Sequence, residues 1–120
     1  MNKQAKAFFN QIKVADYCYT GGNIYLFFGE LTNGNYFLLD GDMYDVRILT
    51  EPIDMYNDDC FDDGWQCERL VRDLNTEKEG PAFTVAVIDW LKENYNGYYD
   101  SCLDDIRREA AGFIGKRGWR

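Results

Sequence analysis

Two periodicities divide the chain. Near its start Ala5, Phe8, Phe9 and Ile12 recur at i, i+3, i+4 and i+7, with Lys3, Lys6, Asn10 and Lys13 between them. That spacing predicts an amphipathic helix over residues 2–13, docked by its Phe pair. The period then drops to two. In Ala15–Thr20, Ala15, Tyr17 and Tyr19 alternate with Asp16, Cys18 and Thr20, and Gly21-Gly22-Asn23 follows as a turn. Ile24–Leu31 is the most apolar run and reads as a central strand, with Gly29 marking a bulge or a close backbone approach. Asn33-Gly34 is a strong hairpin signal before the short strand Tyr36–Leu39. Asp40-Gly41-Asp42 turns the chain again into Met43–Leu49, where Tyr44, Val46 and Ile48 alternate with Asp45 and Arg47. Four strands joined by such short turns must form an antiparallel meander.

Periodicity fails after Glu51-Pro52. Ile53–Gly64 holds five Asp among the apolar residues Met55, Tyr56, Cys60 and Phe61, and reads as an acidic loop pinned by apolar and aromatic side chains. Trp65–Leu74 fits a short helix through Cys67, Leu70, Val71 and Leu74, with Asp63 as N-cap; Trp65, Cys67, Arg69 and Val71 also alternate as a strand would. Pro81 suits the first turn of a helix over residues 81–95, ended by Asn96-Gly97. Ser101 and Asp104 suggest a capping box opening a last helix, about 101–114, with Leu103, Ile106, Ala110, Phe113 and Ile114 on one face. Lys116–Arg120 is a basic tail, expected to be mobile. Strands and helices are segregated, which predicts an α+β fold: a four-stranded antiparallel meander with helices packed on one face, in the order α-β-β-β-β-loop-α-α-α. The 120 residues fit one domain spanning 1–120.

Composition narrows the class. An apolar fraction of 46% and an aromatic fraction of 17% are too high for disorder. No apolar run exceeds strand length and no signal-like apolar core opens the chain, so a cytoplasmic location is expected. The four cysteines, Cys18, Cys60, Cys67 and Cys102, are then expected as reduced thiols rather than disulfides. Cys60 and Cys67 lie too far apart for a zinc knuckle, and the absence of histidine removes the commonest zinc partner and general base. No phosphate-binding glycine loop or nucleophile motif is present. Neither an enzyme nor a cofactor is expected.

Charge changes the picture most. Asp40–Asp63 holds nine carboxylates and one base, Arg47, for a net charge of −8, which equals that of the whole chain; elsewhere 12 acids meet 12 bases. An EF-hand register on Gly64 fails, because it puts Phe61 and Leu70 at ligand positions. A different cation site formed by Asp58, Asp59, Asp62 and Asp63 is the weaker alternative. Direct nucleic-acid binding needs the opposite charge. The same charge can instead imitate a nucleic acid and occupy a basic cleft on a nuclease or other nucleic-acid-binding protein, with aromatic anchors supplying affinity. The candidate binding residues are Asp42, Asp45, Asp54, Tyr56, Asp58, Asp59, Phe61, Asp62 and Asp63, with Tyr44 as a further anchor. Against this stands the plain reading of a solvated loop that aids solubility. By size and charge, the expected class is a phage or mobile-element inhibitor of a host defence nuclease, of the anti-CRISPR type. An immunity protein against a nuclease toxin, or a small regulatory or structural subunit, is the alternative. No direct nucleic-acid or membrane partner is expected.

Overall fold

The period-two segments pair with their sequence neighbours, and one further strand joins them. The computed structural model describes residues 2–22, 24–54, 68–74 and 79–114. Helix α1 (Lys3–Phe9) is followed by β1 (Ile12–Gly21), β2 (Ile24–Leu31), β3 (Tyr36–Asp40), β4 (Asp45–Leu49) and β5 (Leu70–Leu74), then by helices α2 (Glu79–Asn94) and α3 (Cys102–Phe113). The strands form one antiparallel sheet in the order β1-β2-β3-β4-β5, and the fold is α+β. Among the described residues no helix is long and apolar enough to cross a membrane. The tail 116–120 and Cys60 and Cys67 lie outside the described residues; Cys18 and Cys102 are free thiols.

Three expectations need correction. The sheet has five strands, not four. Where a short helix was expected over 65–74, the described residues are helical at Glu68 and Arg69, and Leu70–Leu74 pairs along β4, with Leu74 opposite Val46 and Leu70 opposite Leu49. The apolar stripe there fits either period, and pairing along β4 satisfies backbone groups that an open edge would leave to water. Helix α1 ends at Phe9 rather than at residue 13, and Ile12 opens β1 opposite Leu31. Ile12 serves the same core in either state, but as a β-branched residue it loses less side-chain freedom in a strand. The capping box does not form: the Ser101 side chain makes no capping bond, and Asp100 Oδ1 accepts the Cys102 N–H at 2.9 Å instead.

Alternation along the strands separates two faces. Tyr25, Phe27, Phe37, Leu39, Val46 and Ile48 face the helices. A register shift between Ile12 and Val14 makes Lys13 an extra residue, so Ile12 and Ala15, three apart, both turn inward. Helix α2 lies at the centre, against β1, α1 and α3. Gly80–Ile88 is buried without interruption, which is why its apolar positions spread beyond one stripe. Phe83 meets Phe8 of α1 edge-on at 5.2 Å and Phe37 of β3 at 5.0 Å. Gly29 answers its expected role of close approach: a Cβ there would lie 2.0 Å from the Val14 carbonyl oxygen. The opposite face carries a second cluster, Leu26, Leu38 and Leu49, against which Phe28, Tyr36, Ile53 and Leu70 pack.

Candidate partner-binding surface

The acidic segment begins on the sheet. Asp40 ends β3, and its Oδ1 accepts the N–H groups of Asp42 at 2.8 Å and Met43 at 3.3 Å. This carboxylate therefore shapes the β3–β4 turn, as Asp does when it bonds the backbone two residues on. Asp42 is exposed at the tip of the turn. Asp45 begins β4, and its carboxylate lies 3.8 Å from Arg47, which also lies 3.7 Å from Asp73 of β5. Glu51 is ion-paired with Arg69. After β4 the chain turns back over the outer face of the sheet. Ile53 packs on the Leu26–Leu38–Leu49 cluster, and the exposed Asp54 follows it. Arginines thus meet Asp45 and Glu51 within the stretch, whereas Asp42 is exposed at the turn.

Of the residues chosen from the sequence, the structure places Asp42 on the β3–β4 turn, Asp45 at the start of β4 and Asp54 beyond Ile53. Tyr56, Asp58, Asp59, Phe61, Asp62 and Asp63 lie outside the described residues, as does the alternative cation set. Among the described residues no group of three or more Cys, Asp or Glu could hold a metal ion.

Tyr44 is corrected. Although it sits among acids in sequence, it is 1% exposed and cannot serve as an anchor in its present position. Its φ of 58° turns it out of strand geometry into the left-handed region, and β4 begins only at Asp45. The ring packs edge-on to Phe113 at 5.9 Å, and the hydroxyl donates to Glu109 Oε1 at 2.6 Å. Burial first and that bond second push its pKa well above the ordinary 10. Gly80 permits this arrangement, since a Cβ there would lie 2.0 Å from the Tyr44 carbonyl oxygen.

Comparisons with family models, curated proteins and solved structures give no match. The site therefore rests on its own geometry.

A second acidic region, at the α2–α3 turn, behaves differently, because tyrosines hold its carboxylates. Tyr95 donates to Asp16 Oδ1 at 2.6 Å, Tyr25 to Asp100 Oδ2 at 2.6 Å and Tyr99 to Asp104 Oδ1 at 2.8 Å. Tyr17 donates to the Tyr98 carbonyl oxygen at 2.6 Å and accepts the Asp100 N–H at 3.2 Å. These bonds hold Asp100 and Asp104 below their usual 3.8. The bond to Asp16, with part burial, pushes Tyr95 up to about 12. Tyr98-Tyr99 thus holds the turn through the Tyr99 hydroxyl and the Tyr98 backbone. The Tyr98 ring itself is 79% exposed. Sequence reasoning missed the other half of this network, because Asp16, Tyr17 and Tyr25 are 75 to 83 residues from their partners. Nearby, Arg107 forms a fork on Asp89 at 2.7 and 3.1 Å, joining α2 to α3.

The surface has clear chemical means: carboxylates on the outer side of the sheet, fixed by strand register and turn bonds. The Cys18 thiol is pushed up by burial and is therefore a poor nucleophile.

Proposed function

We propose that this protein binds and masks a basic surface on a nucleic-acid-handling protein, in the manner of inhibitors that phages and mobile elements direct against host defence nucleases. The observation that carries the reading is the placement of charge. Asp40–Asp63 holds a net charge of −8 while the rest of the chain is balanced. Its visible portion starts from a rigid turn and returns across the outer sheet face, where Ile53 anchors it. Negative charge concentrated in one stretch speeds association with a positive cleft and disfavours other partners.

The test uses tagged protein as bait in lysate from a host cell, beside a variant with Asp58, Asp59, Asp62 and Asp63 changed to Asn. The wild type should retain a nucleic-acid-binding protein that duplex DNA displaces. Against the purified partner, surface plasmon resonance should show an association rate falling steeply with salt, because exposed charges are screened over about 8–10 Å at physiological ionic strength. The variant should fold normally and associate more slowly. A partner that DNA does not displace, or a variant associating at the wild-type rate at every salt concentration, overturns the reading.

A further inference from the structure

The outer face of the sheet carries a cleft of about 200 Å³ beside the start of the acidic segment. Strand register builds its floor. Val14 lies opposite Glu30 and Asp16 opposite Phe28 across β1 and β2, so apolar and acidic side chains take the two diagonals of one square. Tyr36 of β3, opposite Glu30, continues the apolar row. Pro52 and Ile53, from the chain that recrosses the sheet, form a further wall. Val14 is 48% exposed, so its side chain is open to a ligand in the cleft.

The two carboxylates differ. Asp16 is fixed, since its Oδ1 accepts both the Tyr17 N–H at 2.7 Å and the Tyr95 hydroxyl at 2.6 Å. Among the described residues Glu30 pairs with the exposed Lys13 alone, at 3.3 Å. An exposed pair of that kind contributes little and is easily exchanged. An apolar trough with carboxylates on one diagonal suits a ligand that is itself apolar along its length and cationic at its end. It repels anions, and it leaves the carboxylates unused by a purely apolar group.

We infer that this cleft receives one arginine side chain of the partner: the aliphatic stem lies along Val14, Phe28, Tyr36 and Ile53, and the guanidinium reaches Asp16 and Glu30. Long basic side chains bury their stems in this way while the head keeps polar partners, and a guanidinium has donors enough for two carboxylates. That the arginine belongs to a protein partner rests on the function proposed above. The chemistry of the cleft does not.

Titration of isotope-labelled full-length protein with n-butylguanidinium, followed by amide NMR, tests the cleft without any partner. Saturable shifts should centre on Val14, Phe28, Glu30, Tyr36 and Ile53. Guanidinium alone, lacking the stem, and pentanoate, carrying the wrong charge, should leave those signals in place at equal concentration. Glu30→Gln should weaken binding by about two- to fivefold, and Lys13→Ala, which removes the competing cation, should strengthen it by a similar factor. The Asn variant at positions 58, 59, 62 and 63 should bind the probe as the wild type does. Shifts scattered over all surface carboxylates without saturation, or pentanoate binding as tightly as butylguanidinium, overturn the inference. Probe binding in the cleft together with failed partner capture would sink the proposed function alone. DNA-displaceable capture with no probe binding would sink only the cleft.

Discussion

The two faces of the sheet use the same strands for different ends. On the inner face Phe27, Phe37, Leu39 and Val46 are fully buried under α2, with no charged side chain in the cluster. On the outer face a narrower apolar strip, Leu26, Leu38 and Leu49, is bordered by the carboxylates of Asp16, Glu30, Asp40, Asp45 and Asp73. Successive residues of β2 serve one face and then the other: Phe27 goes to the core and Phe28 to the outer cleft. Parity thus puts a closed apolar core on one face and an acid-bordered, partly open strip on the other, and a one-residue slip in register would exchange them.

The widest separation between the faces should appear in a pair of truncations. Phe27→Ala should destabilise the fold by about 3–5 kcal/mol, because it opens a cavity in a fully packed core. Phe28→Ala, at a half-buried position, should cost about 1–2 kcal/mol. Equal losses in urea unfolding would mean that the outer face is a core as well, and the division would fall. A smaller effect should follow from Tyr44→Phe, which keeps the ring and removes only the hydroxyl bond to the exposed Glu109. A loss of about 1–2 kcal/mol is expected, and a loss near that of Phe27→Ala would mean that the turn collapses with the hydroxyl.

The smallest effect should be one of pH. Tyr95 is raised to about 12 by its bond to Asp16. A raised folded-state pKa gives stability that is complete below the ordinary 10 and is lost as pH climbs through 12. Asp100 and Asp104 are lowered, so their contribution is present above 3.8 and fades as pH falls below it. With no histidine in the chain, the melting temperature should be nearly flat between about pH 6 and 9. It should fall above pH 10, and Tyr95→Phe should blunt that alkaline fall. An unchanged alkaline limb in Tyr95→Phe would remove the tyrosine–carboxylate bond from the account of stability.

Local signals made much of this fold legible. The hairpins at Gly21-Gly22 and Asn33-Gly34, the strand Ile24–Leu31, the close approach at Gly29 and the α2 helix all follow from residue type and spacing, because each is decided within a few residues. The exceptions were decided at long range. Leu70–Leu74 carries a pattern open to either period, and the unpaired side of β4 selects the strand. Ile12 satisfies a helical stripe, but pairing with Leu31 takes it into β1. Tyr44 keeps the strand alternation in sequence, yet the α3 residues Glu109 and Phe113 hold it in a turn. The candidate surface was legible as charge and not as geometry. Counting carboxylates cannot show that Asp40 is spent on a turn, that Glu51 meets Arg69, or that a cleft opens beside Ile53.

The bond from the Tyr17 backbone to Asp16 has one more consequence. Among the described residues β1 is a long strand with a neighbour on one side only, the kind of border along which chains can stack edge to edge. Asp16 occupies a donor there, and register irregularities at Ile12/Val14 and Tyr19/Gly21 break the border at both ends. The inward-bonded N–H, the charged Lys13 and Asp16 and the two irregular ends make this border a poorer template for a second chain.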